Sequence, residues 1–213
     1  NGILGEYIMI EQESNNNDIA KRFDISRIDF DLLRREFAKT KKKNLLITDL
    51  DELIQTRLDS MLKENPSRVD YYERYQTIID EYNNEQDRAN IEKTFMDLMD
   101  LANSMNQEEK RYVREGFTSD EELSLYDMLF NENLSKEDIN KIKKVAVDLL
   151  EKIKVKISEL DHWTEKQETR DDIETYIGAI LWEELPESYS DNAIFAYRQK
   201  IYEYVFMRYK EVA

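Results

Sequence analysis

Four glycines and two prolines in 213 residues leave this chain few places to turn sharply. An all-β fold needs a tight turn every ~8–12 residues, and such turns draw on residues that reach positive φ. Long helices with short connections are what a chain of this kind can build. The apolar pattern agrees. Ile139, Ile142, Ala146, Leu149, Leu150, Ile153, Ile157 and Leu160 fall within about 100° of arc at the helical period, and the opposite face is rich in Lys and Glu.

Capping signals divide the chain further. Thr48 with Asp51, Thr118 with Glu121 and Ser135 with Asp138 each set a hydroxyl three residues before a carboxylate, the spacing of a reciprocal helix N-cap. Asn106 and Thr164 read as simpler N-caps. Pro66 and Pro186 cannot continue a helix, and Gly116 supplies the left-handed residue that commonly ends one. These signals predict helices over 27–40, 48–64, 68–83, 87–105, 107–115, 119–130, 136–160, 165–184 and 191–210. The short gaps between them favour an all-α, irregular multi-helix bundle with mostly antiparallel neighbours and no sheet. The expected organisation is a single helical piece, with 1–43 as a lead-in and basic turn and 44–213 as the bundle. Asn15-Asn16-Asn17 is the most loop-like stretch, and Lys41-Lys42-Lys43-Asn44 comes next. In the final helix, Ile194, Phe195, Tyr197, Ile201, Tyr202, Tyr204, Val205, Phe206 and Tyr209 spread over about 200° of arc, twice what one core requires. Such a helix is either central in its bundle or touches a second partner.

Composition narrows the chemistry. Thirteen Tyr and eight Phe argue for a folded core even though 37% of the residues are charged. The absence of Cys removes disulfides, Cys-based metal sites and thiol catalysis, and fits the reducing cytoplasm that is the expected location. No apolar run approaches the ~18 residues of a membrane span, and no signal peptide is evident, so no membrane partner is expected. The chain opens on Asn1-Gly2 and is expected to begin inside a longer polypeptide.

Motor and nuclease motifs are missing from it. A phosphate-cradling loop needs closely spaced glycines before Lys-Ser or Lys-Thr, and none of Gly2, Gly5, Gly116 or Gly178 has that surrounding. No Pro-Asp with a following Glu-x-Lys marks a Mg²⁺-dependent nuclease. Glu159-x-x-His162 has half the spacing of a di-iron bundle site, but the chain holds one His in total. The plainer role for His162 is an interaction with a helix C-terminus. The acidic stretch Asp80 to Asp87 lacks the Gly that a calcium loop turns on. Catalytic, cofactor and metal residues are therefore expected to be absent from this piece.

Charge is unevenly spread. Residues 1–65 hold 11 Lys/Arg against 13 Asp/Glu, and residues 66–213 hold 20 against 34, so the later part carries −14 of the net −16. A surface of that sign repels a phosphate backbone. Arg34, Arg35, Lys39, Lys41, Lys42 and Lys43 are the exception, opposed only by Glu36. They read as a solvated turn between helices or as a point contact for DNA or an acidic partner.

One ordered set of residues is more specific than any of these. Trp163-Thr164-Glu165-Lys166-Gln167-Glu168-Thr169-Arg170, then Ile173, Ile177, Leu181, then Leu185-Pro186-Glu187-Ser188-Tyr189, then Ile201-Tyr202, Val205-Phe206 and Tyr209 follow at fixed gaps. Leu50 to Asn83 adds Arg57-Leu58, Met61-Leu62, Asn65-Pro66-Ser67-Arg68 and Tyr71-Tyr72-Glu73-Arg74-Tyr75-Gln76, and Arg114-Glu115-Gly116-Phe117-Thr118 adds a third block. The combination resembles the C-terminal helical region of the motor/restriction (R) subunit of type I restriction-modification enzymes. His162 stands before Trp163 where the family usually has Asp, and Tyr204 stands where its tail commonly has His.

The resemblance implies a non-catalytic assembly domain. Its parent subunit would be an ATP-dependent, DNA-translocating endonuclease that uses ATP and Mg²⁺. The implied partner is the modification (methyltransferase) subunit, with the specificity subunit reached indirectly and DNA through the whole complex. The alternatives are a DNA-contacting element acting through residues 34–43 and a structural brace within the parent. Trp182 projects about 180° from Ile173 at the helical period, on the back of its helix. It is expected to be covered by the chain returning after Pro186, by a neighbouring helix, or by another protein. In the last case Trp182, Tyr202 and Phe206 are the candidate interface.

Overall fold

The computed structural model describes residues 28–84 and 87–210. Of these, 81% are helical, and no sheet is present among them. The loop expected at Asn15-Asn16-Asn17 lies outside the described residues. The chain divides into two compact units, one of residues 1–63 with 68–111 and one of residues 64–67 with 112–213.

The first unit holds α1 (Phe30–Lys39), α2 (Lys43–Glu64), α3 (Val69–Asn84) and α4 (Arg88–Glu108). Asp29 caps α1 by accepting the Leu32 N–H, and Asp87 caps α4 by accepting that of Asn90. Tyr75 of α3 donates its hydroxyl to Asp51 of α2, while Glu81 meets Lys93 and Arg74 reaches Ser104. These pairings make α3 antiparallel to both α2 and α4. Lys43–Glu92 and Arg57–Glu109 then run α2 parallel to α4. Leu46, Leu50, Ile54, Leu58 and Met61 of α2 meet Phe95, Leu98, Ala102 and Met105 of α4 in one core, on which Phe37 of α1 stacks face to face against Phe95. Burial and the hydrogen bond to Asp51 push the Tyr75 phenol up to about 12, so it donates throughout the neutral range.

Two charged side chains lie in this unit's interior. Arg68 Nε donates to Glu108 Oε1 at 3.0 Å with the side chains only 4% and 8% exposed, and Arg111 Nε donates to the same carboxylate at 2.8 Å. The carboxylate is thus shared by two guanidinium groups, which is how a buried charge is kept from standing unpaired.

The second unit is a four-helix bundle of α6 (Asp120–Leu129), α7 (Lys136–Ser158), α8 (Gln167–Glu184) and α9 (Asp191–Tyr209), preceded by the short α5 (Arg111–Glu115). Each helix runs antiparallel to the next, and α6 closes the ring against α9. The stripe of α7 is the one expected: Ile142, Val145, Ala146, Leu149, Leu150, Ile153 and Ile157 are buried, with Ile139 and Leu160 packed at its edges. Ser135 and Asp138 form the reciprocal cap at its start. Gly116 sits at φ 85°, where a side chain would strain the backbone, and ends α5 as expected. The wide apolar arc of α9 follows from its place between α6 and α8, which buries Ile194, Ile201, Tyr204 and Val205.

Several helix boundaries differ from expectation. α2 begins at Lys43, five residues before Thr48, whose hydroxyl bonds back to the Asn44 carbonyl from inside the helix. Leu45, Leu46 and Ile47 extend the apolar pattern upstream, and propagation of an existing helix outweighs a local cap. Asn106 lies within α4, which continues to Glu108. At α6 the cap is Ser119, which accepts the Glu122 N–H, while Thr118 donates its own N–H and hydroxyl to the Glu122 carboxylate. α8 starts after Lys166 rather than at Thr164, with no side-chain cap. His162 lies beyond the end of α7 at φ 49°, a left-handed position that His tolerates better than most residues, and its ring faces Glu165 at 3.4 Å instead of the helix terminus.

One ion-pair network ties three helices of the bundle at a single end. Glu121 of α6 accepts from Lys154 of α7 and from Arg208 of α9. Burial alone would raise the Glu121 carboxyl, but hydrogen bonds from Lys154 and Arg208 outweigh it and hold the group below its ordinary value of 4.5. A folded value depressed below the unfolded one adds stability above about pH 4.5 that is lost as pH falls through the folded value. Glu121→Gln is therefore expected to lower Tm at pH 7, and the gap from wild type should close on acidification. A gap of constant size from pH 7 to pH 3 in thermal melts would contradict this assignment.

Candidate docking surface

The last two helices of the second unit form a hairpin whose turn is set by Pro186. α8 stops at Glu184 because Pro186 cannot continue it, the Tyr189 N–H closes a turn on the Pro186 carbonyl, and Ser190 caps α9 through the Ala193 N–H. Tyr189 then anchors the hairpin by donating its hydroxyl to the Leu129 carbonyl at 2.6 Å. At the opposite end, Thr169 donates to the Trp163 carbonyl and Arg170 to that of Thr164, fixing the turn into α8. The same elements bury Trp163 completely, with its ring edge-on to Phe206 at 5.8 Å.

The chain's other tryptophan has the opposite environment. Ile173, Ile177, Ile180 and Leu181 face the core, and Trp182 stands on the back of α8 with 57% of its surface exposed. The expected intramolecular cover is not there. The chain returning after Pro186 is held inward, with Leu185, Pro186 and Tyr189 all buried, so it does not fold back over the indole.

Tyr202 and Phe206 are neighbours, with ring centroids 6.2 Å apart, but Trp182 does not join them. Glu174 of α8 pairs with Arg198 of α9 at 3.1 Å, which sets the register of the hairpin. Trp182 lies eight residues beyond Glu174 toward the connecting loop, and Tyr202 lies four beyond Arg198 in the other direction. At 1.5 Å per residue the two are separated by about 18 Å along the hairpin. Phe206 spends its ring on Trp163, and Tyr202 is half-buried beside Arg170, Glu174 and Asp171. Burial raises the Tyr202 phenol, against the lowering influence of Arg170.

By the register of the hairpin, the exposed ring of α9 nearest the level of Trp182 is Phe195. A Cβ at Gly178 would come within 2.7 Å of Arg198 Cδ, so glycine is what lets the Arg198 stem lie flat across α8. The guanidinium then sits over the Phe195 ring at 5.3 Å. Trp182 is one turn past Gly178 on α8, and Phe195 is one turn before Arg198 on α9. Both rings therefore lie on the loop side of the same crossing. Phe195 is 54% exposed. Residues 171–191 around them hold seven acidic side chains and no Lys or Arg. Glu184 is bound to Lys152 and Glu174 to Arg198, whereas Glu183, Glu187 and Asp191 are exposed.

The residues singled out from the sequence did not include Phe195 or Arg198. Gly178 was the sequence signal nearest to them, since among the described residues it is the one glycine inside a helix and it meets the Arg198 stem closely.

The basic residues belong to the first unit. Arg34, Arg35 and Lys39 are on α1, Lys41 and Lys42 are in the connection, and Lys43 opens α2. Lys39 pairs with Glu36, and Lys43 turns inward to Glu92 at 2.7 Å, above the Phe37 ring. Arg34, Arg35, Lys41 and Lys42 are exposed.

The family model for type I restriction enzyme HindI endonuclease subunit-like C-terminal domains matches residues 12–207. The chain belongs to that family. The match spans both units of this type I restriction endonuclease C-terminal domain, including α8 and α9. No curated protein and no solved structure matches the chain. Among the described residues of the domain, no helix is long and apolar enough to cross a membrane, and no group of three or more His, Cys, Asp or Glu is placed to hold a metal ion.

Proposed function

We propose that this C-terminal domain is a helical assembly element that docks an ATP-dependent, DNA-translocating endonuclease subunit onto its methyltransferase core. In this reading the chemistry, with its ATP and Mg²⁺, belongs to other parts of the parent subunit. The partner is the modification subunit, the specificity subunit is reached through it, and DNA meets the domain only within the complex. The observation that carries the reading is Trp182, a large aromatic left 57% exposed in a unit that buries its other tryptophan completely. Aromatic anchors of this kind concentrate binding energy at protein interfaces.

The test is co-purification of this chain with the methyltransferase core and, separately, with the specificity subunit. Retention by the core at micromolar concentration is expected. Failure of the core to retain a folded chain would overturn the assembly reading. The second reading, a DNA contact, draws on Arg34, Arg35, Lys41 and Lys42, which are exposed. Charge reversal at Lys41 and Lys42 discriminates the two. If it stops translocation by the parent enzyme while assembly is intact, the DNA-contact reading replaces the assembly one.

A further inference from the structure

We infer that Trp182 and Phe195, at the loop end of the α8–α9 hairpin, form the anchor of the docking surface, and that the partner presents there an apolar recess rimmed by Lys and Arg. This rests on the assembly reading above and specifies its site and chemistry. Both rings are more than half exposed, and both lie one turn from the Gly178–Arg198 crossing on its loop side. Two large exposed rings at one level of the hairpin present more apolar surface than scattered single residues do.

Charge selects the occupant. From Asp171 to Asp191 there are seven acidic residues and no basic one, and Glu183, Glu187 and Asp191 flank the two rings without an ion-pair partner among the described residues. Arg198 is committed to Glu174 and the Phe195 ring, Lys152 pairs with Glu184, and Lys141 reaches the Leu185 carbonyl at the loop end, so Glu183, Glu187 and Asp191 outnumber the one ammonium that faces them and leave the field negative. A nucleic acid would be repelled from such a surface. A second copy of the chain would bring the same acidic rim against its own. A basic rim on a different protein meets the field favourably, steering encounter and excluding like-charged partners. The rings then supply desolvated contact at the centre.

The chain itself carries a reporter. It has two tryptophans, one buried and one exposed, so the difference spectrum between wild type and Trp182→Phe isolates the exposed indole. In the free chain the caesium-to-iodide quenching ratio of that emission should exceed the ratio for free N-acetyltryptophanamide, because the surrounding carboxylates attract the cation. A ratio equal to that of the free indole would contradict the acidic surround. With the purified methyltransferase core added, the difference emission should shift to the blue and become shielded from caesium.

Binding of the core should fall about 30-fold or more in the double variant Trp182→Ala, Phe195→Ala, with an unchanged melting temperature since neither side chain is buried. Glu183→Lys with Glu187→Lys should also weaken binding, and raising salt should weaken wild-type binding. A double variant that binds like wild type overturns the surface assignment and leaves the assembly reading standing. A core that binds neither protein overturns the assembly reading itself. Binding indifferent to both salt and charge reversal overturns the basic rim. Sedimentation showing that the chain alone dimerises, and that the double variant does not, assigns the rings to a second copy and overturns the proposed partner.

Discussion

Trp163→Ala is expected to destabilise the four-helix unit by about 3–5 kcal/mol, enough to consume much of an ordinary domain's stability. Trp163 is wholly buried and meets Phe206 edge-on, so truncation removes the largest fully buried side chain of the bundle and leaves a cavity that α8 and α9 cannot close while Tyr189 and Arg170 pin their ends. Trp163→Phe should cost clearly less. It retains a ring against Phe206, and it removes an indole N–H that has no hydrogen-bond partner among the described residues. Urea unfolding followed by circular dichroism checks both variants. Equal losses in the two would mean that ring volume is not what Trp163 contributes.

The second large effect lies in the other unit. Glu108→Ala is expected to cost about 3–5 kcal/mol, because it strips a buried carboxylate from two guanidinium groups and leaves Arg68 charged in an apolar interior. Replacing the pair together, Arg68→Met with Glu108→Leu, should be far milder, since no buried charge is then left without its carboxylate and Arg111, 26% exposed, can turn to water. A double-mutant cycle measures the difference. If the double variant is less stable than Glu108→Ala, the pair contributes net stabilisation and the desolvation argument fails.

The helices were legible in the sequence wherever one physical signal dominated. The stripe of α7 and its Ser135–Asp138 cap are local, and both form as read. Thr48, Asn106 and Thr164 misled because a polar side chain can satisfy a helix end or a helix interior equally well. Thr48 bonds to the Asn44 carbonyl, four residues back, and the apolar residues upstream decide which role it takes. The partition into two cores was not legible, since it depends on which stripes face each other across long sequence separations. The place of Trp182 was legible, and the exposure of Phe195 was not. Helical period alone puts Trp182 on the back of α8. It cannot single out Phe195 from the other apolar residues of α9, because exposure there is decided by the register that Gly178 and Arg198 set.

The division of the chain has a practical consequence for anyone cutting it. Residues 64–67 belong to the second unit although the residues before and after them belong to the first. Asn65 donates its amide to Asp127, and Ser124 donates its hydroxyl to the Glu64 carbonyl. The path of the polypeptide is therefore interlaced, and no single scission can part the two units cleanly. A protease nick at Arg111 leaves the Glu64–Ser67 segment stitched to α6 by those bonds, so the pieces should co-migrate under native conditions and separate only in denaturant. Recombinant fragments face the same rule: one that begins at Tyr112 lacks the stitch, and one that keeps it must carry α3 and α4 without the α2 they pack on.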